Sequence, residues 1–152
     1  MKDRFFIDTN IFVYSFDSTD PGKQETAHGL IKTALKHETG CISFQVMQEF
    51  LNVASKKFDP PLKLHDLSHY LTNFLVPLCQ VYASAALYLK ALEISERWQY
   101  SFYDSLIIGA ALRAEASILF TEDLQHGQKI QSLSIVNPFF DSFQVRDLFN
   151  SV

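Results

Sequence analysis

Apolar residues in this chain fall into two kinds of run, and their alternation sets the architecture. Short continuous runs rich in Ile, Phe, Leu and Val lie at about 4–8, 41–44, 78–82, 118–121 and 134–136 and predict buried strands. Between them, apolar positions recur every three to four residues over about 10–16, 21–38, 45–57, 63–76, 83–97 and 102–116, which predicts helices. Pro21-Gly22 opens the second helix, and Asp59-Pro60-Pro61 parts the third from the fourth, because proline lacks a donor and keeps the residue before it out of the helical region. Strands alternating with helices of this length imply an α/β fold with a parallel sheet. No repeat, linker or low-complexity tract divides the 152 residues, so a single domain over 1–152 is expected, with a core of about 1–138 and a mixed aromatic and charged tail over 139–152.

Composition adds little to that picture but closes several alternatives. At 47% apolar content the chain can bury a substantial core, and most of its 14 Phe residues sit at strand or helix spacing. The run Phe5 to Phe16 is broken by Asp8 and Asn10 and lacks a small-residue cleavage pattern. No signal peptide and no membrane span are therefore expected, and the protein is read as cytoplasmic. Cys41 and Cys79 each lie inside an apolar stretch and form no CxxC pair, so they read as buried, reduced thiols. His65 and His69 stand four apart on a helix, but no HExxH glutamate accompanies them, so they read as a solvated face.

The chemistry lies in the acids that close the apolar runs. Arg4-Phe5-Phe6-Ile7 stops at Asp8, and Ile118-Leu119-Phe120-Thr121 stops at Glu122-Asp123. Open α/β sheets bind ligands beyond the carboxyl ends of their strands, which is where Asp8 and Asp123 fall. Were the first and fourth strands neighbours, the two acids would emerge side by side. Glu49 sits at the edge of the apolar stripe of its helix, and Asp104 opens a helix that is apolar nearly all round. Each acid also has a plain structural explanation. Asp8-Thr9-Asn10 suits a helix cap, and Ser101-Phe102-Tyr103-Asp104 matches a capping box.

Taken together, the four acids require more than capping. Two carboxylates about 5 Å apart repel by roughly 3 kcal/mol at an effective dielectric near 20, so a cluster must protonate or recruit a cation. Hard oxygen donors favour Mg²⁺ or Mn²⁺, an ion that activates a bound water and stabilises charge in phosphodiester displacement. The net charge of −4 argues against a nucleic-acid partner at first sight. With the four candidate ligands set aside, however, 13 of the 17 acids remain against 13 Lys and Arg, and bound ions would offset the cluster itself. Two other readings stay open. One is a phosphohydrolase with Asp8 as nucleophile, although Asn10 stands where such enzymes carry a second Asp; the other is a non-catalytic module that binds protein or RNA.

The order and spacing of these motifs resemble the PIN domain, and in particular the VapC-type ribonuclease toxins of bacterial toxin–antitoxin modules. The resemblance rests on Phe6-Ile7-Asp8-Thr9-Asn10, Ser43-Phe44-Gln45-Val46-Met47-Gln48-Glu49-Phe50, Tyr103-Asp104-Ser105-Leu106-Ile107 and Thr121-Glu122-Asp123-Leu124-Gln125-His126-Gly127, and so covers most of the chain. It implies a three-layer α/β/α sandwich whose parallel sheet has the order 3-2-1-4-5. It also implies metal-dependent hydrolysis of single-stranded or loop RNA. Asp8, Glu49, Asp104 and Asp123 match the family's metal-binding acids, with Asn10, Thr121 and Glu122 in support. Proteins of this kind are homodimers held inactive by a cognate antitoxin. The tail after Pro138 departs from the family pattern.

Overall fold

The computed structural model describes residues 3–140. Among these residues, six strands form one sheet in the order β3-β2-β1-β4-β6-β5. They are β1 (Phe5–Ile7), β2 (Gly40–Ser43), β3 (Cys79–Val81), β4 (Ile118–Phe120), β5 (Lys129–Ile130) and β6 (Leu133–Val136). All neighbouring pairs are parallel except β5 with β6. The predicted order is therefore found, with β6 as the expected fifth strand and β5 added at the edge through a tight turn in which Gln131 has a φ of 53°. A two-residue strand with one exposed Lys carries no alternation for a sequence to display.

Helices cover the sheet as the periodicity requires. They are α1 (Thr9–Tyr14), α2 (Pro21–His37), α3 (Phe44–Lys56), α4 (Leu64–Tyr70), α5 (Val76–Leu78), α6 (Ala85–Trp98) and α7 (Phe102–Arg113). The expected helix over 63–76 is interrupted: between α4 and α5, Leu71–Leu75 widen into a π turn, and the Val76 N–H reaches back to the Leu71 carbonyl. Pro77 has no N–H to continue the regular ladder, so the register shifts just before it.

The core lies on both faces of the central strands, where Phe6, Ile7, Ile42, Leu119 and Phe120 are fully buried. An aromatic cluster ties α1 to α3 and α4, with Phe50 packed against Phe12, Phe16, Phe58 and Tyr70 at ring-centroid distances of 5.0 to 6.2 Å. These contacts account for much of the Phe content. On the other side of the first crossover, α2 packs so closely on β2 that a Cβ on Gly40 would lie 2.2 Å from the Ala34 Cβ. Cys41 and Cys79 are buried and unpaired, and desolvation pushes the Cys41 thiol up to about 11, so it is an inert thiol as expected. His65 and His69 are exposed. No helix among the described residues is long and apolar enough to cross a membrane. The predicted tail over 139–152 lies, from residue 141, outside the described residues.

Candidate active site

Parallel pairing of β1 with β4 sets Phe5, Phe6 and Ile7 opposite Ile118, Leu119 and Phe120. The residues that follow, Asp8 and Thr121, consequently leave the sheet together. The Asp8 N–H donates to the Phe120 carbonyl at 3.0 Å, and the Thr121 hydroxyl donates to Asp8 Oδ2 at 2.8 Å. The other carboxylate oxygen, Oδ1, accepts from the Thr9 N–H at 2.7 Å and caps α1. One oxygen therefore caps α1 while the other is held by Thr121 at the end of β4.

Thr9, Asn10 and Thr121 then link Asp8 to two more acids. The Thr9 hydroxyl donates to Glu49 Oε2 at 3.3 Å. The Asn10 amide donates to Asp123 Oδ2 at 2.9 Å and to Thr121 Oγ1 at 3.5 Å, while that same Thr121 oxygen accepts from the Asp123 N–H at 3.1 Å. Asp123 and Glu49 are exposed as residues, but the Glu49 carboxylate is the part turned inward, toward Thr9. Asp104 completes the set from the start of α7. Only half of its predicted capping box forms: Ser101 Oγ accepts from the Asp104 N–H at 3.1 Å, whereas the Asp104 carboxylate makes no hydrogen bond or ion pair among the described residues.

Electrostatics ties the four together. Burial pushes the Asp8 carboxyl from 3.8 up to about 7; the Thr121 and Thr9 hydrogen bonds oppose the shift, and the charges of Glu49 and Asp123 add to it. Desolvation also raises Glu49, against hydrogen bonds from Gln45 and Thr9, with Asp104 and Asp123 as its charged neighbours. Glu49 thus faces the other three acids. Among the described residues, no three His, Cys, Asp or Glu side chains close into a cage around a single point.

Glu122 faces elsewhere. Its Oε1 accepts from the Tyr14 hydroxyl at 2.6 Å and its Oε2 from Lys23 Nζ at 2.6 Å. Burial would raise this carboxyl, but the Lys23 and Tyr14 hydrogen bonds outweigh it and hold Glu122 below its ordinary value. His126 serves the turn, its Nδ1 accepting from the Asn137 N–H at 2.9 Å. Sequence reasoning passed over Thr9, Gln45, Tyr14 and Lys23 as contributors. Thr9 was readable from its place between Asp8 and Asn10, and Gln45 from its place one turn before Glu49, where its side chain also donates to the Tyr103 carbonyl at 3.3 Å.

Solved structures with a similar architecture include proteins of toxin–antitoxin systems. A toxin–antitoxin complex from Klebsiella pneumoniae superposes with a TM-score of 0.60 at 15% identity, over 88% of this chain and 96% of that one. Mycobacterium tuberculosis VapC20, a toxin that cleaves the sarcin-ricin loop, gives a TM-score of 0.59 at 19% identity, over 78% and 91%. The DNA-bound VapBC of Salmonella typhimurium gives 0.58 at 18%, over 89% and 97%. At these identities the likeness establishes the fold. Comparison with curated proteins returns no significant match. The PIN domain family model matches residues 5–129, a span that takes in Asp8, Glu49, Asp104 and Asp123 and every strand up to the edge hairpin. The chain therefore belongs to the PIN domain family.

Proposed function

We propose that this chain is a divalent-metal-dependent endoribonuclease, hydrolysing RNA phosphodiester bonds as the toxin of a toxin–antitoxin pair. One observation carries the reading: Asp8 is a buried carboxyl joined by a single hydrogen-bond network to Glu49, through Thr9, and to Asp123, through Thr121 and Asn10. Such a group is comfortable as an anion at neutral pH only with a cation nearby. The donor set suits Mg²⁺ or Mn²⁺, since Asp8, Glu49, Asp104 and Asp123 offer hard oxygens. Asn10 adds a buried Oδ1 that has no partner among the described residues. Mg²⁺ is commonly held by one or two carboxylates and several waters, so a closed protein cage is not required. When bound, such an ion supplies an activated water and offsets charge growing on the phosphate.

The chain's own residues do the positioning. Thr121 and Thr9 fix both oxygens of Asp8, Thr9 holds Glu49 beside it, and Asn10 orients Asp123. Asp104, whose carboxylate has no hydrogen bond among the described residues, is left available to an ion or to the water it binds. The similar structures include toxin–antitoxin complexes and a toxin that cleaves an RNA loop, which supports RNA as substrate and an antitoxin as the inhibitory partner. Exposed Tyr88, Leu89 and Leu92, which share one face of α6, support a homodimer formed through that face. We place the activity in the cytoplasm, where such RNA is found.

The test is a pair of measurements on the full chain. Purified protein should cleave single-stranded or loop RNA in Mg²⁺ or Mn²⁺, and Asp8→Asn and Asp104→Asn should each lose that cleavage while staying folded. Cleavage that persists in both variants would overturn the assignment. RNA binding without Mn²⁺ binding would favour the non-catalytic module instead.

A further inference from the structure

We propose that Lys23 is a positioning residue for Asp123, acting through Glu122; the inference rests on Asp123 being one of the metal-binding acids. Lys23 Nζ lies 2.6 Å from Glu122 Oε2 and 3.2 Å from the Tyr14 hydroxyl, which itself donates to Glu122 Oε1 at 2.6 Å. The ammonium also sits 4.5 Å from the Tyr14 ring centroid and 5.2 Å from that of Phe139, and those rings are 5.0 Å apart. Glu122 is thus held at Oε2 by the Lys23 ammonium and at Oε1 by the Tyr14 hydroxyl, and the ammonium in turn lies over the Tyr14 and Phe139 rings.

That grip is aimed at the site. Tyr14 lies one helical turn beyond Asn10 on α1, so one face of α1 holds two consecutive residues of the loop after β4: Asn10 takes Asp123 and Tyr14 takes Glu122. Asp123 itself is exposed, and its carboxylate has Asn10 as its hydrogen-bond donor among the described residues. Without the grip on Glu122, the exposed acid would be free to swing about that single contact. Lys23 is also badly placed for helix stability, because it lies in the first turn of α2, where the helix dipole disfavours a cation. Its partner across the fold explains it better than its own helix does. The ion pair is about 30% exposed on each side, at 31% and 28%, so its effect on global stability is small.

The experiment compares Lys23→Gln and Lys23→Arg with the wild type in three readouts. These are the Mn²⁺ dissociation constant by calorimetry, amide hydrogen exchange at Asp123, and Tm. Lys23→Gln should weaken Mn²⁺ binding by up to about tenfold, the lower bound for losing a direct partner of a ligand, because Lys23 acts through the neighbouring Glu122 and not on Asp123 itself. It should also speed exchange of the Asp123 amide, which donates to Thr121 Oγ1, while Leu119 and Phe120 keep their protection. Tm should fall by no more than roughly 3 °C, as for an exposed ion pair. Lys23→Arg, which keeps the charge and the aromatic contact, should restore both affinity and exchange. Wild-type affinity and exchange in Lys23→Gln would overturn the inference alone. Absence of Mn²⁺ binding by the wild type would overturn the metal reading, and the inference with it. A large fall in Tm with protection lost throughout the sheet would make Lys23 a folding residue and overturn the inference as well.

Discussion

Asp8 should make the metal-free protein less stable as the pH rises, against the usual behaviour of a salt-bridged carboxylate. Its carboxyl ionises near 3.8 when unfolded and at about 7 when folded. Between those values the native state holds a proton that the unfolded chain has released, so its contribution is fully present below 3.8 and is lost as pH rises through about 7. Each pKa unit corresponds to about 1.4 kcal/mol, which makes the whole shift worth about 4 kcal/mol. Between pH 5.5 and 8, about 2 kcal/mol of this is accessible, or roughly 6 °C in Tm for a domain of this size. Glu49 is shifted in the same direction and adds to the slope without changing its sign.

Thermal unfolding in EDTA at both pH values measures the effect, with Asp8→Asn as the control. The variant cannot ionise, so most of the pH slope should vanish and its Tm at pH 8 should approach or exceed that of the wild type. The gain is capped because the amide cannot accept from both Thr9 N–H and Thr121 Oγ1 as the carboxylate does. Mn²⁺ added at pH 8 should raise the wild-type Tm, since metal binds the ionised acid, and should leave Asp8→Asn nearly unchanged. An equal slope in wild type and Asp8→Asn would refute the reasoning, because the proton would then reside elsewhere.

Further consequences concern the other acids and the packing. Asp104→Asn should lower Mn²⁺ affinity with Tm unchanged, because the carboxylate makes no hydrogen bond among the described residues; Ser101→Ala should do the reverse, costing about 1 kcal/mol of stability with affinity retained. Gly40→Ala would place its Cβ 2.2 Å from that of Ala34, so α2 must shift off β2, and urea denaturation should register a loss of about 2 kcal/mol or more. Leu92→Glu on the exposed face of α6 should give a monomer by sedimentation if the homodimer forms there, with the circular dichroism spectrum retained because Leu92 lies outside the core, and with Tm no longer dependent on protein concentration.

How much of this was visible in the sequence depends on how local the cause is. β1 and β4 were readable because each is a continuous apolar run ending in a polar residue, and the carboxyl-end rule put Asp8 and Asp123 at strand ends, to emerge side by side if the two strands were neighbours, as they are. The π turn at Leu71–Leu75 was not readable, because Pro77 acts backward on carbonyls of a helix whose periodicity is otherwise intact. The edge hairpin was not readable either, because Lys129–Ile130 is too short to show a period.

The acids mark the limit most clearly. Capping and metal binding ask for the same residue types at the same backbone positions, so Asp8 and Asp104 could not be assigned from spacing. What separates the two uses is where each carboxylate oxygen goes, and that depends on partners distant in sequence. Asp8 divides its oxygens between its own helix and Thr121, 113 residues away, whereas Asp104 leaves the capping to Ser101 and its carboxylate has no hydrogen bond among the described residues. The same logic governs Glu122. Beside Asp123 it reads as a fifth acid for the site, yet Lys23, 99 residues earlier, draws it away. The local hint was a lysine set against the dipole of its own helix, a placement that a distant carboxylate explains and the helix does not.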